Sequence, residues 1–415
     1  MVAVIFHRIG PYHDCRIRAA AQQVQVTCVE LCAKDSTYEW EVISNPMCYR
    51  RETLYEHGDV TEYPAMEVNH RLSDVLDALK PDVVAIPGWL TPGAPPALFW
   101  CIKHGVPAMV MSESQRIDEP RKWHKEFIKR QIVSLFSAGL VGGRTHGDYL
   151  ADLGMSPECI FLGYDAVDND YFAAGAAKWQ KLKAESRNQK PDDIGRTTDP
   201  STLAPMPYFL ASARFIEKKN LPRLIQAYAR YRQFAQTSDL RRSTSAVWNL
   251  VLLGDGPLKA DLCHLISDLR LQDFVLLPGF KQYPDLPAYY GLARAFIHAS
   301  TTEQWGLVVN EAMASGLAVL VSNRCGCAQD LVREGVNGFT FDPYNIEKLA
   351  ELMVKVSAFN FPLSAFGDAS QRIISAWGPE RFANGLKAAV ECALRVGPVK
   401  PTLIQRILLK ALLAR

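Results

Sequence analysis

Several features are scarce in this sequence, and each scarcity excludes something. No uninterrupted apolar segment reaches the ~18–20 residues that span a bilayer, so no transmembrane helix is expected. The opening stretch MVAVIFHRIGPYH has too short an apolar run and the wrong flanks for a secretory signal, and reads as a first buried strand. Charge is balanced. Lys and Arg number 46 against 44 Asp and Glu, and the formal net charge of +2 argues against a dedicated nucleic-acid binder. The ten cysteines lack paired spacing. Only Cys325 and Cys327 stand close, and one C-x-C without a second pair does not make a zinc site. Reduced thiols in a cytoplasmic protein are the expectation. No G-x-G-x-x-G follows the first strand, which disfavours a Rossmann dehydrogenase. There is no short repeat and no low-complexity tract.

What is present is ordinary globular material: 48% hydrophobic and 22% charged residues over 415 positions, a length that favours two domains. Short apolar runs alternate with helix-length segments, the pattern of a parallel sheet covered by helices on both faces. VAVIF (2–6), VVAIP (83–87), PAMVMS (107–112) and GLVGG (139–143) are strand candidates in the first half. Residues 173–204 are polar, rich in Pro and charge, and read as the best linker in the chain. The pattern then restarts with YFLASARF (208–215), NLVLLGDG (249–256), FVLLPGF (274–280), AFIHAS (295–300) and AVLVSN (318–323).

Ligands of open α/β sheets bind beyond the carboxyl ends of the strands, so chemistry is expected just after those runs. AFIHAS is followed by TTEQWGLVVNEAMASG, which carries Glu303 on the loop and Glu311 on the helix. Gly306 lets backbone approach a ligand, and the amides near Gly306, Leu307 and Val308 would face an anion at a helix N-terminus. Glu303 and Glu311 are suited to accept hydrogen bonds from polyol hydroxyls. Equally, Glu303 reads as a solvated loop residue and Glu311 as a helix-dipole stabiliser. ARFIEKKN places Arg214 and Lys219 at another strand end, where two fixed cations would hold a diphosphate. VLLGDGP, with Gly254, and FVLLPGFKQY, with Gly279 and Lys281, are weaker loop signals, and a simple turn is the commoner meaning of the first.

The order ARFIEKKN, VLLGDGP, LLPGFKQY, TTEQWGLVVNEAMASGLAVLVSN and DLVREGVNGFTFDP resembles the C-terminal half of family-4 retaining glycosyltransferases of GT-B fold, the glycosyl transferases group 1. The resemblance covers roughly residues 205–385. It implies an α/β fold of two Rossmann-like doubly wound domains facing each other across a cleft. The domains would be 1–190 for the acceptor and 205–378 for the nucleotide sugar, joined by a linker at 191–204, with helices 379–415 crossing back. It implies that Glu303 contacts the transferred sugar, Glu311 the ribose, and Arg214 and Lys219 the diphosphate. It also implies no cofactor and no metal requirement: the nucleotide-diphosphate sugar, with a UDP-sugar favoured, is substrate.

In the first half, Gly10 stands where such enzymes carry a glycine-rich turn, with Tyr12, His13 and Arg16 as neighbours. The family's mid-domain histidine is replaced by MVMSESQRID, so Glu113 with Ser112 and Ser114 occupies that place. Asp168 and Asp170 form a D-x-D read as structural. Trp89, in IPGWLTPGAPP, either stacks on an acceptor sugar or belongs to the core or a loop lid. Arg121 lies in EPRKWHKEFIKRQIVSLF, whose basic and aromatic residues would suit an anionic or phosphorylated acceptor or simply form a solvated face. TLIQRILLKALLAR (402–415) is amphipathic and basic, and either touches the inner membrane face weakly or docks on its own domain. The expected activity is hexosyl transfer to a saccharide or lipid-linked acceptor in polysaccharide or glycolipid synthesis. A sugar-nucleotide epimerase, an inverting transferase and a non-catalytic sugar-nucleotide-binding subunit are the alternatives.

Overall fold

A computed structural model describes residues 1–34, 48–186, 206–237 and 247–413. The chain divides into two compact units, Met1–Val167 with Trp377–Arg415, and Asp168–Ala376.

The first unit is built on a parallel sheet of β1 (Val2–Phe6), β2 (Val26–Cys32), β3 (Arg50–Tyr55), β4 (Val83–Pro87), β5 (Ala108–Ser112), β6 (Ala138–Val141) and β7 (Ile160–Leu162). Their spatial order is β3-β2-β1-β4-β5-β6-β7. The two innermost strands, β1 and β4, are apolar at every position because both faces are covered. Ile5, Val29, Leu31, Val84, Ile86 and Val110 face one core. Val4, Phe6, Cys28, Met109, Met111 and Leu140 face the other. The second core is closed by the helices Pro11–Ala21 and Pro379–Val396, whose Ile17, Phe382, Leu386 and Ala389 meet it. β2, β3 and β7 were not among the sequence candidates. β2 buries Thr27 and Glu30, β3 is the polar edge RRETLY, and β7 has three residues, so none gives a clean apolar run.

The second unit carries β8 (Tyr208–Ser212), β9 (Asn249–Leu253), β10 (Val275–Gly279), β11 (Ala295–His298), β12 (Ala318–Ser322) and β13 (Gly338–Phe341). They are ordered β10-β9-β8-β11-β12-β13, again all parallel. In each sheet the order reverses once, between β1 and β4 and between β8 and β11. Such a reversal opens a crevice at the carboxyl ends of the two central strands.

The stretch read as linker is partly something else. Residues Asn169–Ser186 form a helix that belongs to the second unit, so the boundary falls after Val167 and not at 190. This helix packs through small residues. A Cβ on Gly175 would lie 2.4 Å from Pro287 Cβ, and one on Gly291 would lie 2.7 Å from Ala176. Alanine and glycine bury little area, so such a contact leaves no hydrophobic periodicity to read. The linker expected at 191–204 lies outside the described residues. Asp168 accepts a hydrogen bond from the Tyr171 amide at 2.9 Å, the work of a helix cap.

Candidate functional site

The crevice between β8 and β11 gathers Lys218, Lys219 and Glu303 of the second unit. β8 ends at Ser212, and the chain turns through Ala213 and the exposed Arg214. The GDG turn fixes this bend. Gly254 has φ +130°, and a Cβ there would lie 1.9 Å from the Ala213 carbonyl oxygen. The Phe215 amide donates to the Asp255 carbonyl at 2.8 Å. Gly254 therefore supports the Arg214 loop by close backbone approach.

Asn220 ends that loop in the left-handed region, φ +58°. Its buried amide donates to the carbonyls of Ala299, at 3.0 Å, and Pro343, at 2.8 Å. The Thr301 amide donates to the Lys218 carbonyl at 2.8 Å. The loop after β8 and the loop after β11 are thus stitched together, and this brings Lys219 onto Glu303. Lys219 Nζ pairs with Glu303 Oε2, Lys218 Nζ lies 3.9 Å from Oε1, and Ser300 Oγ donates to Oε2 at 3.1 Å. His298 Nε2 is 3.3 Å from the same Oε2. Burial by itself would raise the Glu303 carboxyl. The His298 hydrogen bond and the Lys219 and Lys218 charges outweigh it and hold Glu303 well below the ordinary carboxylate range. His298 is lowered, chiefly by burial and secondarily by the two lysines, against the opposing Glu303.

Gly306 caps the helix Leu307–Ala314 with φ +104°, a conformation that favours glycine. Leu307 and Val308 are half-buried at its first turn. Trp305 is fully buried, its indole N–H donating to Asn310 Oδ1 at 2.9 Å. Glu311 is also buried, and Tyr290 donates its hydroxyl to Glu311 Oε2 at 2.5 Å. Gly279 has φ +82°, and Lys281 Nζ lies 5.6 Å from the centroid of the Tyr289 ring. Lys219, Glu303 and Gly306 therefore meet on two stitched loops, with Arg214 exposed earlier on the first loop and Glu311 in the helix that follows Gly306. Sequence reading passed over His298, Ser300 and Asn220. The usable signal for His298 was a histidine inside an apolar strand, AFIH.

The first unit holds the remaining candidates. The Gly10 amide donates to His13 Nδ1 at 3.3 Å. Burial, then Arg16 and Arg8, lower His13 to about 3, so its ring is a neutral acceptor. Arg16 is almost fully buried, donating from Nε to the Ala166 carbonyl at 2.9 Å and lying 3.9 Å from Asp165. Glu113 is half-buried just past β5 and neighbours Asp165. Burial, then the Glu113 charge and a hydrogen bond with Glu113, raise Asp165 well above the usual range, against the pull of Arg16. Trp89 is 6% exposed and belongs to the core, so the structure places it there and not on an open surface. Arg121 is tied down: it donates to the Gln115 and Arg116 carbonyls and to the Tyr149 hydroxyl at 2.8 Å, and stacks 4.3 Å over that ring. The acceptor expectations at Trp89, Arg121 and His13 thus fall on side chains already engaged within the unit, His13 through the Gly10 amide.

Comparison with known proteins places these features. Residues 201–362, which lie within the second unit, match the family Glycosyl transferases group 1. The chain is 30% identical over 131 residues to the alpha-monoglucosyldiacylglycerol synthase of Acholeplasma laidlawii, a match covering 31% of this chain and 30% of that one. It is 34% identical over 124 residues to N-acetylgalactosamine-N,N'-diacetylbacillosaminyl-diphospho-undecaprenol 4-alpha-N-acetylgalactosaminyltransferase of Campylobacter jejuni, covering 30% of each. The matches thus span about a third of these relatives' length. The solved structure of HepE from Anabaena in complex with UDP-glucose superposes with a TM-score of 0.69 at 16% identity, covering 93% of this chain and 98% of that one. That likeness shows the GT-B fold.

Proposed function

We propose that this protein is a retaining glycosyltransferase that moves a hexose from a UDP-sugar to a hydroxyl of a saccharide or lipid-linked acceptor. The observation that carries the reading is the convergence of Lys219, Glu303 and the Gly306-capped helix at the reversal between β8 and β11, with Arg214 on the same loop as Lys219. A diphosphate would lie against the exposed guanidinium, the ammonium and the helix amides. Glu303 would receive hydroxyls of the transferred sugar, and Glu311 those of the ribose.

The reaction breaks the bond from the anomeric carbon to the diphosphate and forms one to the acceptor oxygen. The acceptor's proton passes to a donor phosphate oxygen on the same face, and a nucleoside diphosphate leaves. Cationic groups fixed beforehand stabilise the negative charge that grows on that leaving group, often the largest catalytic contribution. Arg214 and Lys219 would supply this stabilisation with no metal requirement. Support for the donor comes from HepE, solved with UDP-glucose. Support for a lipid-linked acceptor comes from the diacylglycerol and undecaprenol named in the two relatives.

A cytoplasmic protein touching the membrane weakly fits this acceptor. The helix Leu403–Leu413 buries Leu409 against its own unit yet exposes Leu403, Ile404 and Ile407 beside Arg406 and Lys410. Trp123 is 83% exposed at the start of the basic helix Trp123–Val133. Apolar side chains beside cations suit an anionic lipid surface. A thermal-shift screen of nucleotide sugars tests the donor, since a ligand that binds only the folded state raises its melting temperature. Arg214→Ala should lower turnover about 10²–10³-fold. An inverted product would turn the assignment toward an inverting enzyme. Wild-type sedimentation with anionic liposomes no better than that of Leu403→Ser/Ile407→Ser would remove the membrane contact.

A further inference from the structure

His298 closes β11, a strand otherwise made of Ala, Phe and Ile, and is 3% exposed. A core of this kind gains nothing from an imidazole that must keep a partner. Its partners are specific. Nε2 lies 3.3 Å from Glu303 Oε2 and 3.3 Å from Ser300 Oγ, and Ser300 Oγ itself donates to Glu303 Oε2 at 3.1 Å. Lys219 reaches the same carboxylate oxygen. Gly306, held at φ +104°, runs beside this group: a Cβ built there would stand in ordinary contact, 3.4 Å from His298 Nε2 and 3.5 Å from Glu303 Cγ.

We infer that His298 is a positioning residue, whose Nε2–H, together with the Ser300 hydroxyl, fixes the Glu303 carboxylate in the orientation that receives the donor sugar's hydroxyls. The inference rests on the glycosyltransferase reading above. A neutral imidazole has one N–H, and the carboxylate selects the tautomer that carries it on Nε2. Burial and the neighbouring lysines keep the ring neutral, so it acts as a hydrogen-bond donor and not as a second cation. Lys219 can then turn toward a diphosphate without releasing Glu303, because two neutral donors still hold the carboxylate. The arrangement separates two tasks: the cation answers the phosphate, and the histidine holds the acid for the sugar.

The test compares UDP with UDP-glucose binding by calorimetry on the full chain. His298→Phe keeps a ring of similar size but removes the donor. His298→Gln keeps an N–H near the reach of Nε2. His298→Phe should weaken UDP-glucose about 10- to 100-fold, the worth of one hydrogen bond to a charged group, while UDP alone changes less than about twofold. His298→Gln should recover most of the loss. UDP-glucose bound by His298→Phe as by wild type would overturn the inference. So would an equal loss for UDP and UDP-glucose, which marks general damage to the loop, and so would a His298→Gln protein as weak as His298→Phe. A wild-type protein that binds neither ligand overturns the donor reading and this inference with it, an outcome distinct from wild type binding while the variant is unchanged.

Discussion

Lys219→Met should leave a folded protein that is nearly inactive, and the structure says why the two effects separate. Methionine keeps most of the lysine stem and removes the ammonium. Breaking a buried ion pair costs ~3–5 kcal/mol when the surviving charge is left with nothing. Here the side chains retain 14% and 11% exposure, so the pair is not dry. Glu303 also keeps Ser300 at 3.1 Å, His298 at 3.3 Å and Lys218 at 3.9 Å. A charge at that last distance contributes roughly 1–4 kcal/mol between bulk-water and near-surface dielectric conditions. The expected loss of stability is therefore about 1–2 kcal/mol, below the full penalty. That is a drop in melting temperature of roughly 2–8 °C. Turnover of a nucleotide-sugar donor should fall about 10²–10³-fold, because the missing cation faces charge that grows only as the donor bond breaks. Differential scanning fluorimetry reads the first effect and initial rates the second. A double-mutant cycle with Glu303→Gln then separates the two roles of Lys219. If the lysine serves the diphosphate, Lys219→Met weakens UDP and Glu303→Gln does not. Unchanged UDP affinity with the rate loss wholly absorbed by Glu303→Gln would reduce Lys219 to a counter-ion and refute the reasoning.

Gly254→Ala should be severe, costing about 3 kcal/mol or more, because both the φ of +130° and the 1.9 Å approach to Ala213 oxygen must yield. Chemical denaturation would show it, and a stability near wild type would contradict the close backbone contact. Gly175→Leu should likewise destabilise the second unit, since its first side-chain atom already meets Pro287 at 2.4 Å; limited proteolysis and melting would report the loosened helix. Stability should also fall as the pH drops below 6.5. His13 and His298 are both depressed in the folded protein, so the unfolded chain takes up their protons first. Each contributes at most ~1.4 kcal/mol per pH unit, until its own folded value is reached, about 3 for His13. Glu303 adds a further loss below its ordinary 4.5, because its folded value is depressed, so its stabilisation is complete above that point and drains away as the pH falls toward the folded value. A His13→Gln protein melted across this range should show a shallower slope, and an unaltered slope would remove His13 from the account.

The sequence itself determined the layered α/β plan and the residue types of the site. β1, β4, β5, β8, β9, β11 and β12 are buried on both faces, so each appears as an apolar run, polar at most at one end residue, that needs no partner to be recognised. Arg214, Lys219, Glu303 and Gly306 could be picked out because ligand chemistry collects just after such runs. The polar edge strand β3, the three-residue β7 and the helix Asn169–Ser186 stayed hidden, for their burial comes from neighbours or from glycine and alanine fitting closely.

Tertiary structure alone decided the rest. Lys219 and Glu303 stand 84 residues apart, and they meet only because β11 inserts beside β8 and Asn220 ties the two loops together. The same folding withdrew Trp89 into a core and bound Arg121 to Tyr149. It also turned His298, one polar residue in an apolar strand, toward the carboxylate that the loop carries. Local patterning records how each segment buries itself, whereas strand order and loop pairing are settled by every segment competing for the same core, and no single stretch carries that information.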